Sequence, residues 1–254
     1  TQRLRNVINK GVTDEDFNQC LETAFSRGWN RVKLYFMMGL PTESGNDLDG
    51  ILELAERSLI IGKRAGKKVT VSLSVAGFVP KPHTPFQWEP QAGVDELREK
   101  GRYLKGKLGA RFGGRNSRIS LKYHEPEQTV LEGVFARGDR RLADAILAAW
   151  RKGARFDGWS ETFSFPLWME AFGEASIDPL HYTERRRADD EGLPWDHIDA
   201  GVSKAFLLRE RDKALQEELS PDCRPLAGME GAACRACGVE DLCPAAGKLR
   251  NNNG

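Results

Sequence analysis

The sequence predicts an α/β fold built on a partial parallel sheet, and three observations carry that prediction. Short runs at 32–38, 69–76 and 118–123 alternate apolar with polar residues, as half-buried strands do. Between them stand longer stretches with apolar residues at helical spacing, and strand alternating with helix implies parallel strands joined by helical crossovers. The third observation is a shortfall. Only three strands are legible, too few to close a barrel, and the sequence opens on a helical pattern with no strand before it. Such a sheet keeps an open edge and an uncovered face, so the expectation is a piece of a larger protein.

Taken in order, a short polar opening leads to Thr13 with Asp16 three residues on, a capping-box pattern. Phe17, Cys20, Leu21, Ala24 and Phe25 follow at helical spacing, and Gly28 ends the helix. That spacing makes Cys20 a small core residue rather than a reactive thiol. In the first strand Val32, Leu34, Phe36 and Met38 share one face, and Lys33, Tyr35 and Met37 share the other. The apolar face suits packing under helices; the face with Lys33 and Tyr35 suits a lined cavity.

The strand ends in Gly39-Leu40-Pro41-Thr42-Glu43, and Leu48, Ile51, Leu52, Ala55 and Leu59 then mark a helix to about Gly66. The second strand sets Val69, Val71, Leu73 and Val75 against Thr70, Ser72 and Ser74. It breaks into GFVPKPHTPF, where prolines forbid regular pairing and stiffen the loop. Val94, Leu97, Leu104 and Leu108 define the next helix, ahead of the third strand. In parallel α/β sheets ligands sit beyond the C-terminal strand ends, which is where GLPTE and GFVPKPHTPF fall.

The region 124–219 reads as mainly helical, with Leu142, Ala143, Ile146, Leu147 and Trp150 on one core face and Leu167, Trp168, Ala171 and Phe172 on another. Arg137, Arg140, Arg141, Arg151, Lys152 and Arg155 are dense enough for a basic patch, as are the arginines at 185–187, and nearby acids favour solvated faces for both. Asp196, His197 and Asp199 form a polar group that could serve as acid and base. The favoured reading is a helix start capped by Asp199 or Ser203. For His83 a solvated loop position is favoured over a catalytic one.

Cys223, Cys234, Cys237 and Cys243 crowd the end of the sequence with one CxxC pair. Two residues between cysteines bring both sulfurs to one metal, and four thiolates suit zinc or an auxiliary iron-sulfur cluster. The formal charge of +1 gives no bulk reason to expect nucleic acid or membrane, and no apolar run reaches the roughly 18 residues of a spanning helix. TQRLRNVINK has no signal-peptide character. The expectation is a soluble cytoplasmic protein without a membrane partner.

LRNVINKG followed by a helix, then VKLYFMMGLPTES, then SLSVAGFVPKPHTPFQW, closely resembles the second half of the radical S-adenosylmethionine barrel, in the branch where a cobalamin-binding domain precedes it. FARGDRRLADAILAAW, GARFDGWSE, LPWDHIDAGVSKAFLLRE and the final cysteines resemble an uncharacterised bacterial subgroup of that branch. The resemblance implies a half-barrel over 1–123, a helical family-specific region over 124–219 and a Cys-rich metal-binding tail over 220–254.

It also implies cofactor contacts. Asn9 and Lys10 stand where relatives carry an Asn-Arg pair, and Lys10 keeps the charge without the fork geometry. Gly39 and Leu40 match the turn that approaches adenosine, and Phe78 and Val79 match the loop that packs on adenine. Tyr35 replaces an acid that binds ribose in some relatives. Glycine at position 39 also has a purely conformational reading, since a turn there tolerates positive φ.

The family's initiating CxxxCxxC triplet occurs nowhere in this sequence. By resemblance the intact enzyme reductively cleaves S-adenosylmethionine to a 5′-deoxyadenosyl radical. It would use a 4Fe-4S cluster whose ligands lie outside this chain, with electrons from a flavodoxin or ferredoxin, and whether a cobalamin outside this chain also serves as methyl carrier is left open. The partner would be the missing N-terminal half, and this chain alone is expected to be inactive. The alternative reading is a zinc-knuckle module whose Arg-rich helix meets RNA or a ribosomal partner.

Overall fold

The computed structural model describes residues 1–113, 117–221 and 237–239. Two helices open it, α1 (Gln2–Val7) and α2 (Asp14–Ser26). The Thr13 hydroxyl accepts from Asp16 N–H at 3.0 Å and the Asp16 carboxylate accepts from Thr13 N–H at 2.9 Å, so the capping box forms. Leu21 and Phe25 are the residues α2 buries. Cys20 is exposed, which corrects its reading as core: the helix packs through the Leu21 and Phe25 side, and Cys20 lies a turn of about 100° away from Leu21.

Strands β1 (Arg31–Met38), β2 (Thr70–Gly77) and β3 (Ile119–Tyr123) form one parallel sheet in that order. Helices α3 (Gly45–Arg64) and α4 (Val94–Phe112) make the crossovers. The mixed α/β class and the parallel order follow the sequence pattern. One face carries Val71, Leu73, Val75 and Ile119, buried with Leu48, Leu52 and Ala55 of α3 and Leu97 and Leu104 of α4. Val32, Leu34 and Phe36 pack against this core. About 25 cal/mol per Å² of apolar surface removed from water makes this the main stabilising contact of the sheet. Glycine is needed where helix and strand nearly touch: a Cβ on Gly62 of α3 would stand 2.3 Å from Val69 Cγ2.

After β2 the chain makes a 3-10 turn at Pro85–Trp88, which buries Phe86, Gln87 and Trp88. After β3 come α5 (Pro126–Arg137), α6 (Leu142–Arg151), α7 (Phe165–Glu174), α8 (Pro179–Thr183) and α9 (Lys204–Leu215). A second core joins α5, α6, α7 and α8 through Leu131, Val134, Ala145, Trp168 and Phe172. Helix α6 does not bury the face expected for it. Leu142, Ala145 and Ala149 turn inward, while Ile146, Leu147 and Trp150 are 47%, 43% and 55% exposed. The alanines allow a close approach to α7, and close approach wins over bulk.

Helix α1 packs against α9, with Leu4, Val7, Leu40, Phe86 and Ala214 in one apolar cluster. Arg3 pairs with Glu217 at 2.7 Å. No helix among the described residues is long and apolar enough to cross a membrane.

Candidate functional site

The second face of the sheet has no helix packed on it among the described residues. Parallel register sets Lys33 beside Ser72 and Ser72 beside Ser120, and one rung further Tyr35 beside Ser74 and Ser74 beside Lys122. Two polar rows therefore cross all three strands. Ser120 Oγ donates to Ser72 Oγ at 3.1 Å, and Lys33 Nζ lies 5.1 Å from the Tyr35 ring centroid. Tyr35 is 71% exposed and Met37 38%. The C-terminal rim continues the ladder, with Phe78 N–H donating to the Met38 carbonyl at 2.8 Å and His124 N–H to the Val75 carbonyl at 3.0 Å.

The turn after β1 is fixed by a residue the sequence reading passed over. Gly39 sits at φ +81°, and its N–H donates to both carboxylate oxygens of Glu43 at 3.0 Å. Glu43 in turn accepts from Lys100 of α4 at 2.6 Å. Burial opposes the Lys100 charge, and its hydrogen bonds to Glu43 and Glu96 outweigh that effect, so the ammonium titrates above its ordinary range. The signal for Glu43 was present in the sequence: a carboxylate four residues after a turn glycine can reach back to the freed N–H.

A Cβ on Gly39 would meet Ala92 Cβ at 3.0 Å. Positive φ and this approach together account for the glycine without any ligand. A cavity of about 430 Å³ opens beside the turn, reaching Gly39, Leu40, Glu89, Glu96 and Glu184.

The other residues named from the sequence are spread around this rim. Leu40 is buried and shares its apolar cluster with half-buried Phe78, whose ring meets Phe86 edge-on at 5.8 Å. Val79 is buried next to it in sequence. Ile8 packs on the same cluster, which brings the Asn9 corner close. Asn9 stands at φ +49°, its Oδ1 accepting from Ser220 N–H at 3.1 Å, and Lys10 is exposed. Leu40, Phe78 and the Asn9 corner are thus gathered at one end of the sheet, while Tyr35 lies on the bare face.

His83 lies at φ +55°, and its N–H donates to Gln87 Oε1 at 2.9 Å. It lines a cavity of about 320 Å³ with Asp196, Asp199 and Lys204. Asp196 accepts from Leu193 N–H at 2.8 Å and Asp199 from Gly201 N–H at 2.7 Å. Ser203 caps α9 through Phe206 N–H, so this group does the work of a helix start. His197 is exposed.

Cys223, Cys234 and Cys243 lie outside the described residues. Cys237 is half-buried, and its carbonyl accepts from Ser203 N–H at 2.7 Å. Among the described residues no group of three or more His, Cys, Asp or Glu side chains is arranged to hold a metal.

The comparisons with known proteins stop short of a family. The chain is 29% identical over 147 residues to an uncharacterised protein of Methanocaldococcus jannaschii, a match covering 56% of this chain and 29% of that protein. No family model and no solved structure matches.

The basic patches are solvated as expected at Arg140, Arg141, Arg151, Arg155 and Arg186, and depart from that at Arg137 and Arg187. Arg137 is fully buried, donating from Nε to the Tyr182 carbonyl at 2.8 Å and from one terminal nitrogen to the Glu89 carbonyl at 2.7 Å. Arg187, 2% exposed, donates to the Arg137 carbonyl at 2.8 Å. Burial first, then the neighbouring Arg187 and Arg185 charges, lowers Arg137 to about 10. Arg137 braces α5 to α8 and to the Glu89 backbone, and Arg187 braces the segment after α8 to the end of α5. Backbone carbonyls, which no composition count reveals, are their acceptors.

Proposed function

We propose that the chain is the cofactor-binding second half of a radical S-adenosylmethionine enzyme, with the bare polar face of the sheet turned toward the bound cofactor. The observation that supports this best is the pair of polar rows, Lys33-Ser72-Ser120 and Tyr35-Ser74-Lys122, on a face flanked at its C-terminal rim by Leu40 and Phe78. An apolar rim beside a polar wall suits a ligand with an adenine ring at one end and charged groups at the other.

Leu40 and Phe78 would bed the adenine, and Lys33 or Lys122 would hold the methionyl carboxylate. Tyr35 would donate to the ribose. Reductive cleavage of S-adenosylmethionine supplies the 5′-deoxyadenosyl radical. On this reading the ligands of the reducing cluster would lie outside these residues, since CxxxCxxC is absent from the sequence. The same holds for cobalamin. A tail metal, zinc or an iron-sulfur cluster, would rest on Cys223, Cys234, Cys237 and Cys243. The alternative zinc-knuckle reading would meet RNA through Arg140, Arg141, Arg151 and Arg155, which are exposed, and without Arg137, which is buried.

The test is anaerobic reconstitution of a full-length homologue, with iron and 5′-deoxyadenosine measured beside this chain. The full-length protein should form 5′-deoxyadenosine and these 254 residues should not. Phe78→Ala in that background should weaken S-adenosylmethionine binding about tenfold, the loss of one stacked ring. A full-length protein that neither binds nor cleaves S-adenosylmethionine would refute the reading.

A further inference from the structure

Helices α2, α3 and α4 each lead into the next strand at the N-terminal end of the sheet. The strand starts are level there: Thr70 N–H donates to the Asn30 carbonyl at 2.9 Å and Val71 N–H to the Arg118 carbonyl at 2.8 Å. Arg27 and Arg31 flank the first junction. Lys63, Arg64, Lys67 and Lys68 surround the second, and Arg118 stands at the third. All seven are exposed. Nearby Arg57 and Arg111 pair with Asp14 and Glu56, whereas none of the seven has an ion-pair partner among the described residues. The adjoining sequence supplies no acid, since Asp and Glu are absent from 23–42, 57–88 and 100–124.

Cations at helix C-termini have a structural use, because each helix end carries about half a negative charge. Three ends offset about 1.5 of the seven positive charges, which leaves an excess of about 5 at one end of a chain whose formal net charge is +1. Neighbouring strands lie about 4.8 Å apart, inside the screening length of about 8 Å at physiological salt, so these charges repel one another. A bound polyanion relieves that repulsion.

Trp29 stands at the first junction, 67% exposed. Its backbone is fixed by a glycine cap: Gly28, at φ +99°, donates to the Phe25 carbonyl at 3.1 Å, and Trp29 N–H donates to the Ala24 carbonyl at 3.1 Å. The second junction repeats the cap, with Gly66 N–H on the Lys63 carbonyl at 3.0 Å and Lys67 N–H on the Gly62 carbonyl at 2.9 Å. The residue after such a glycine commonly packs back on its own helix. Trp29 instead presents its ring to solvent among the cations.

We propose that this end of the sheet binds single-stranded nucleic acid, with phosphates on the seven cations and one base stacked on Trp29. Four of the seven are arginines, whose fork matches phosphate. A protein partner would need an apolar centre to its interface, and Trp29 is the one large apolar side chain in 27–31, 63–68 and 117–118. One ring is also little to insert into a bilayer. A single strand offers both the charges and an open base face. This surface lies at the opposite end of the strands from Leu40 and Phe78 and uses none of the α6 arginines, so the inference stands without the S-adenosylmethionine reading. The shared chemistry has two sources, RNA and single-stranded DNA.

Fluorescence anisotropy of the full chain with a labelled oligouridylate of about 12 nucleotides tests it. Binding should be measurable at about 50 mM salt, and log affinity should fall against log salt with a slope of about −3.5, for about five phosphates neutralised. Lys67→Glu with Lys68→Glu should weaken binding at least tenfold and flatten the slope by about 1.4. Trp29→Ala should weaken it about tenfold with the slope unchanged, and Trp29→Phe should recover most of that loss. Circular dichroism checks each fold, and the lysine pair decides the matter if Trp29→Ala unfolds. Arg140→Glu with Arg151→Glu should leave affinity and slope near the parent's. Oligodeoxythymidylate bound equally well identifies any single strand; weaker binding identifies RNA, through its 2′-hydroxyls. Absence of oligonucleotide binding at about 50 mM salt overturns the proposal, as does capture by phosphatidylserine vesicles alone. So does affinity unchanged in the lysine pair or in folded Trp29→Ala, or lost only in the Arg140 and Arg151 pair.

Discussion

Asp47 is 3% exposed, and its carboxylate gathers donors from two parts of the chain. Ser44 N–H reaches it at 2.9 Å and Ser44 Oγ at 2.7 Å, while the Thr1 hydroxyl and the Arg3 guanidinium donate from α1. Burial alone would raise this carboxyl; the hydrogen bonds from Thr1, Arg3 and Ser44 overcome it and hold it well below the usual range. Asp47→Ala removes the capping-box acceptor of α3 along with the contacts from Thr1 and Arg3, so it should cost about 1–2 kcal/mol in urea unfolding. Asp139, held to about 2 by Arg141, and Glu191, held to about 2 by Arg185, titrate in the same direction. A depressed folded pKa gives stability that is complete above the unfolded value of about 4 and is lost as pH falls toward about 2. The thermal midpoint should therefore drop between pH 4 and pH 2, and Asp139→Asn with Glu191→Gln should flatten that slope. A midpoint independent of pH in this window contradicts the assignment.

Among the elements, the strands were legible and α6 was not. A period of two assigns strand faces outright, because each residue points opposite to the next. Thus Lys33, Tyr35, Ser72 and Ser74 fell on the bare face as the pattern required. In α6 the apolar residues cover more than one face, and hydropathy cannot say which side meets α7. The side with Ala145 and Ala149 is the one that fits. Consequently Ile146→Lys should change stability by less than about 0.5 kcal/mol, as exposed substitutions do. Ala149→Leu on the same helix should cost about 1–3 kcal/mol by overpacking. The reverse order in thermal or urea unfolding would mean that α6 turns its other face inward. Cys20, Arg137 and Arg187 depart from their local pattern for a related cause. Burial of these residues depends on the facing helix and on backbone acceptors, and neither is written in local spacing.

At the largest scale, the decisive asymmetry among the described residues is that one side of a three-stranded sheet is packed and the other is bare. The sequence conveyed this much, as well as the two loops at the strand ends. The Glu43–Lys100 lock, the buried arginine braces and the cationic end of the sheet come from chain segments far apart, which pattern reading does not join. Adjacent residues of the central strand separate the two sides. Leu73 is 1% exposed in the core under α3 and α4, and truncation to alanine leaves a cavity there, so Leu73→Ala should cost about 3 kcal/mol. Ser74, its neighbour, stands in the polar row between Tyr35 and Lys122. Ser74→Ala should leave unfolding within about 0.5 kcal/mol of the parent. If that row faces S-adenosylmethionine, the same change should weaken cofactor binding in a full-length background while Leu73→Ala lowers yield and stability instead. A Ser74→Ala protein that unfolds early would show that the bare face is part of a core, and the cavity-wall reading of Lys33 and Tyr35 would fall with it.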